Sequence, residues 1–170
     1  MGFLEPYGRS RRAFRRDALN GPANGPAPPV FVVHSLTQAV AALQAAAAVE
    51  RDIILLSAPD TGIYAGAAWF RALVDAARAT VRTAHFSATL DCGDDAGAAQ
   101  GALRAGVEAV IFIGRADVAE RLAAIAGAQG IRLLTTRPDV FLDLGRWFFA
   151  DAETLRRRCA EYLASHQVIC

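Results

Sequence analysis

The chain has 170 residues, 18 basic and 17 acidic, and every basic one is an arginine. The absence of lysine excludes Schiff-base aldolases, pyridoxal enzymes and Walker A nucleotide binding, each of which needs an ammonium group that arginine does not replace. A hydrophobic fraction of 54% against 21% charged residues indicates a packed globule, and no apolar run approaches the roughly 18 residues of a membrane span, so a soluble cytoplasmic protein is expected.

In chain order, residues 1–29 read as a flexible basic tail with a Pro/Gly linker. Arg9, Arg11, Arg12, Arg15 and Arg16 precede a run of Asn, Gly, Pro and Ala. Ser10-Arg11-Arg12-Ala13-Phe14 resembles the start of a twin-arginine export signal. The apolar region such a signal requires is replaced by Asp17, Asn20 and prolines, so export is not expected. Without the tail the chain keeps 13 bases and 15 acids, which leaves weak contacts by the tail as the one expected link to nucleic acid.

Residues 30–170 read as one α/β domain. Val30–His34, Ile53–Ser57, Ala84–Leu90, Val110–Gly114 and Ile131–Thr136 are short, continuously apolar runs, the pattern of strands buried on both faces of a parallel sheet. Helical patterns separate them. Ser35-x-x-Gln38 and Asp117-x-x-Glu120 have capping-box spacing, and Asp151 is placed to cap the last helix. Leu122 with Ile125, and Leu155 with Cys159 and Tyr162, form core stripes. Arg156, Arg157 and Arg158 read as a solvated face. Cys92, Cys159 and Cys170 form no CxxC pair, so neither a disulfide framework nor a zinc knuckle is expected.

Parallel α/β folds bind ligands where the carboxyl ends of the strands and their loops converge. At those ends the sequence places His34 and Ser35, Ser57 and Asp60, Asp91 and Cys92, Arg115, and Thr135 with Thr136. Each has a plainer structural role open to it: Ser35 as a helix cap, Asp60 and Asp91 as acceptors for loop amides, His34 as a satisfied rim histidine.

Leu90-Asp91-Cys92-Gly93 resembles the Leu-Asp-His-Gly signature of class II (metal-dependent) ketose-bisphosphate aldolases. The stretch from Ser57 to Gly66 resembles the family's Ser-x-Gly-Ala-x-x-Tyr-x-Gly segment after strand two. The stretch from Ala102 to Ile111 resembles its Ala-Ile-x-x-Gly-Phe-Thr-Ser-Val-Met segment. The succession covers roughly Val30 to Arg115. The resemblance implies Asp91 as the acid/base at the carbon–carbon bond. It also implies that Cys92 stands where the family has a metal-binding His, so that a divalent metal such as zinc would need a thiolate there and further ligands from a second subunit. The family's later barrel strands, with their ligands and glycine-rich phosphate site, have no counterpart in this length.

The combined expectation is a parallel five-stranded βα-repeat sheet, an incomplete TIM barrel, with a flavodoxin-like three-layer sandwich as the alternative. Its expected function is binding of a small phosphorylated or anionic metabolite at the strand ends without bisphosphate aldolase activity. Asp91 is the catalytic candidate, Ser57, Asp60, Arg115 and His34 the ligand-binding ones, and Cys92 the metal-binding one. The alternative function is a non-enzymatic regulatory or assembly module. Five strands leave open edges, for which a homodimer is the simplest cover.

Overall fold

A computed structural model describes residues 27–166. The tail expected at 1–29 lies outside the described residues apart from 27–29, as does Cys170. The elements are β1 (Val30–Val33), α1 (Leu36–Ala48), β2 (Ile53–Ser57), α2 (Thr61–Tyr64), α3 (Gly66–Thr80), β3 (Phe86–Asp91), α4 (Ala96–Ala105), β4 (Ala109–Ile111), α5 (Ala116–Ala128), β5 (Arg132–Leu134), β6 (Leu142–Asp143), a 3₁₀ turn (Leu144–Trp147) and α6 (Ala152–Ser165).

All pairings are parallel, in the order β5-β4-β3-β2-β1-β6. The sheet thus has six strands where the sequence predicts five. The extra one is β6, two residues long, which aligns Leu142 with Phe31 and Asp143 with Val32. A last strand returning beside the first is the arrangement that closes a βα barrel.

The connection between β5 and β6, residues 135–141, contains no helix, yet it returns from the carboxyl end of one edge strand to the amino end of the other. In a flat six-stranded sheet those edges would stand about 24 Å apart, at ~4.8 Å per strand. That nearly exhausts the ~28 Å so short a connection can span. So short a connection leaves little slack between the two edges of the open sheet.

Helices α6, α1, α3, α4 and α5 pack side by side in the same order as the strands beneath them. Their apolar stripes join the outward residues Phe31, Val33, Ile53, Leu55, Ala88, Leu90 and Val110 in one large core. The other face of the sheet buries Val30, Val32, Ile54, Leu56 and Ile111 in a small cluster that contains no helical residue. Helices on one side of the sheet favour the incomplete barrel over the flavodoxin-like sandwich, which covers both faces.

Alanine allows the close helix–sheet approach. Ala39, Ala42 and Ala46 on α1 and Ala99 and Ala102 on α4 are fully buried, and each does so without losing side-chain rotamer freedom.

The predicted caps at Ser35 and Asp151 are present, with Ser35 Oγ accepting from Gln38 N at 3.4 Å and Asp151 Oδ1 from Thr154 N at 2.8 Å. The predicted cap at Asp117 is not. Helix α5 starts two residues earlier, with Arg115 at the cap position, so Asp117 falls in the first turn. Ile125 turns out to solvent, and Ala126 takes the place assigned to it in the core. Strands β4 and β5 are shorter than predicted, because Phe112–Gly114 and Thr135–Thr136 already belong to the rim loops.

Candidate functional site

The pleat decides what the carboxyl rim can hold, since successive strand residues point to opposite faces. On β3, Phe86, Ala88 and Leu90 face the helices, whereas Ser87, Thr89 and Asp91 face the concave side. Cys92 follows the outward register. Its thiol is fully buried in the helix-side core, against Gly62 at the start of α2. Burial, together with the nearby Asp91 and Asp95 carboxylates, pushes its pKa up to about 12. A metal-binding thiolate requires the reverse. Cys92 and Asp91 therefore do not share a site, a correction to the expectation that the adjacent pair would act together.

Asp91 is 1% exposed and both its carboxylate oxygens accept hydrogen bonds. Oδ1 accepts from Asp60 N (3.1 Å), Gly93 N (2.9 Å) and Arg137 Nη2 (3.0 Å), and Oδ2 accepts from Arg137 Nε (2.6 Å). The same guanidinium donates to Asp60 Oδ1 at 2.8 Å. Three loops, those after β2, β3 and β5, are tied to one side chain. The hydrogen bond from Arg137 to Asp91, reinforced by the charge of both carboxylates, holds the guanidinium pKa above its already high ordinary value.

Local backbone conformation makes the clasp feasible. Asp60 is left-handed (φ 61°), a conformation tolerated by aspartate at a cost of order 1 kcal/mol. That turn presents both its amide and its carboxylate to the cluster. Gly93 is also left-handed (φ 55°), and a Cβ there would strike the Asp60 carboxylate. The glycine of Leu90-Asp91-Cys92-Gly93 is thus a steric requirement of this clasp. Ser57 supports it from beneath, its Oγ accepting from Asp91 N at 2.9 Å and donating to Ala58 O at 3.1 Å.

The other two expected site residues stand apart. Arg115, 81% exposed along its side chain, pairs with Asp117 through two 3.0 Å hydrogen bonds and has no contact with Asp91. The cation at the cluster is Arg137, a residue the sequence reading did not single out. His34 Nε2 meets Asp143 Oδ1 at 2.7 Å, and Asp143 also accepts from Gly145 N at 2.8 Å. This joins the ends of β1 and β6, so His34 acts as a rim staple. A Cβ at Gly145 would lie 2.7 Å from His34 Nε2, which is why the turn after β6 takes a glycine.

Among the described residues no three His, Cys, Asp or Glu side chains converge on a common point. With Cys92 turned outward and Asp91 held by Arg137 and two loop amides, the donor set does not fit the divalent metal that the resemblance implies. A separate hollow of about 120 Å³ lies in the outer layer between α3 and α4, lined in part by Phe70, Arg71, Arg78 and Glu108. Its guanidiniums are committed to Ala105 O and Glu108.

No protein-family model and no curated protein matches the chain. Solved structures do match. One is a crystal structure from Coccidioides immitis, described as that of a candidate fructose-1,6-bisphosphate aldolase. It is 21% identical with a TM-score of 0.52, over 62% of this chain and 39% of that one. The likeness establishes an aldolase-like α/β fold. The chain matches well under half the length of that protein.

Proposed function

We propose that the chain is a divergent aldolase-like protein that receives a small phosphorylated or otherwise anionic metabolite at the carboxyl ends of its strands and does not cleave bisphosphates. The observation that carries this reading is how Asp91 is held. Oδ1 accepts from two amides and one guanidinium nitrogen and Oδ2 from the other, on a side chain 1% exposed. A general base must lie within hydrogen-bond reach of the proton it removes. Asp91 is buried beneath Arg137 and out of that reach while the guanidinium is in place.

The same guanidinium is the natural anion receptor. Arg137 is about one-third exposed and holds Asp60 by a single hydrogen bond. A phosphate oxygen can replace Asp60 there while the paired bonds to Asp91 persist, because a guanidinium donates through several N–H groups at once. Arg137 thus takes the anchoring role expected of Arg115.

Calorimetry with phosphorylated sugars tests this reading, alongside an assay for fructose-bisphosphate cleavage. Binding should weaken by roughly ten-fold or more in Arg137→Ala, the scale of one lost charge-assisted hydrogen bond. Arg115→Ala should bind as the parent does, and no cleavage above background is expected. Metal-dependent turnover abolished by Asp91→Asn would overturn the non-catalytic assignment.

A second reading, a non-enzymatic assembly module, is favoured by the apolar side chains on the same rim. Tyr64 is 84% and Phe149 97% exposed, more than a ligand-binding rim requires.

A further inference from the structure

The staple between β1 and β6 uses one nitrogen of its histidine. His34 Nε2 lies 2.7 Å from Asp143 Oδ1. A carboxylate accepts and does not donate, so the pairing assigns the ring proton to Nε2 and leaves Nδ1 as a bare acceptor, without a partner among the described residues. The surroundings hold the ring in that role. Buried Gln38 accepts from His34 N at 2.7 Å and donates to Leu144 O at 2.9 Å, which ties the turn after β1 to the turn after β6, and Gly145 N donates to Asp143 Oδ1. With 28% of its side chain exposed, His34 is within reach of a ligand.

Register brings this acceptor to the neighbourhood of Arg137. Val32 and Leu56 face the concave side, where Val32 is aligned with Asp143 and Leu56 with Thr89, and Val33 is aligned with Ser57. One step further along the strands, His34, Ala58 and Asp91 stand in a row across β1, β2 and β3. The middle member is an alanine, whose methyl adds little bulk between the imidazole and the clasp. Arg137 Nη2 is the nitrogen that Asp60 shares with Asp91. A ligand oxygen taking the place of Asp60 there is one to two strand spacings from β1, about 5–10 Å.

The two ends of the row differ in chemistry. The clasp offers guanidinium donors, whereas the dyad offers Nδ1 and the second oxygen of Asp143, both acceptors. The exposed Arg146, three residues beyond Asp143 and in no ion pair among the described residues, balances that carboxylate's charge. The dyad end therefore calls for a neutral donor, a hydroxyl, rather than an ammonium.

We propose that His34 Nδ1 is the second contact of the anion site, accepting a hydrogen bond from a hydroxyl of a ligand whose phosphate sits on Arg137. The ligand class is a phosphate monoester of a short polyol, roughly three or four carbons long, since that number of ~1.5 Å bonds covers the gap. The proposal rests on the reading of Arg137 as anion receptor and adds the group that tells a polyol phosphate from phosphate itself.

Calorimetry on the full chain with inorganic phosphate, glycerol 1-phosphate and n-propyl phosphate tests the two contacts separately. The propyl ester matches the glycerol ester in carbon count and lacks its hydroxyls. Glycerol 1-phosphate should bind the parent about ten-fold more tightly than propyl phosphate, the scale of one hydrogen bond. In His34→Phe that ratio should fall to about one, because affinity for the glycerol ester drops to that of the propyl ester. The parent alone gives a second readout: the imidazole nitrogen-15 resonance of His34 should move with glycerol 1-phosphate and stay in place with propyl phosphate. Equal affinities for the two esters in the parent, or a preference that survives His34→Phe, would overturn this inference and leave the anion reading standing. Inorganic phosphate that does not bind, or binds Arg137→Ala equally well, would overturn the anion reading and this inference with it.

Discussion

The two faces of the sheet are built on opposite terms. The face under the helices is a continuous apolar core, from Phe31 and Leu43 to Leu155 and Leu163. The concave face has a handful of aliphatic side chains, then Ser87 and Thr89 with hydroxyls that find no partner among the described residues, then Asp91 and its clasp at the rim. One face stores stability and the other arranges polar groups at some expense of it. An eight-stranded barrel would enclose that second face; here Arg137 ties together three of the loops at its rim.

The largest effects should separate the faces. Phe31→Ala removes a fully buried ring that packs edge-on against Tyr162 at 5.2 Å, and denaturant unfolding should register a loss of about 4 kcal/mol. On the concave face, Asp91→Ala orphans the amides of Asp60 and Gly93 and halves the partners of Arg137. A loss of roughly 3 kcal/mol is expected. If it were near zero, the clasp would be ornamental.

Silent at neutral pH but large at high pH is an effect confined to the helix-covered side. Burial raises the thiols of Cys92 and Cys159 from an ordinary 9.0 to about 12. The unfolded chain releases these protons first, so above pH 9 the native state binds more protons than the unfolded one. Stability is complete below pH 9 and falls as pH rises toward 12, by up to about 1.4 kcal/mol per pH unit for each thiol. Urea midpoints across that window should flatten in Cys92→Ala and Cys159→Ala.

Smaller still is a gain. Thr89→Val exchanges an unpartnered buried hydroxyl for a methyl of similar shape and should stabilise the fold by about 1 kcal/mol. A loss would show that the hydroxyl has a partner on the concave side. Smallest is Arg115→Ala, which removes an exposed ion pair and should stay within ~0.5 kcal/mol in the same unfolding measurement.

The apolar runs made β1, β2 and β4 legible because strands buried on both faces need apolar residues at nearly every position, whereas β3 and β5 were marked by shorter apolar runs between helical patterns. Strand β6 gave no such signal: Leu142–Asp143 is half-buried and held largely by its pairing with β1. Asp91, Ser57 and Asp60 were legible as a rim cluster from their place at strand ends. The period of two also contained a warning about Cys92, since neighbours on a strand face opposite ways. Asp117, two residues beyond Arg115, offered that arginine a local partner. Arg137 could not be read, because its partners lie 46 and 77 residues away and only the course of the loop after β5 brings them together.

The pairing of β6 with β1 has a consequence for how the chain assembles. Neighbouring βα units can dock while the polypeptide is still growing, but the His34–Asp143 staple and the Arg51 Nη1 bond to Leu163 O span 109 and 112 residues. These contacts must wait for the final helix, and long loops make them slow to form. Both ends of the described chain then lie at the amino end of the sheet. A circular permutant that joins them and opens the chain in the solvent-facing turn before β5 would turn the last contacts of folding into early ones, and should fold faster to the same structure.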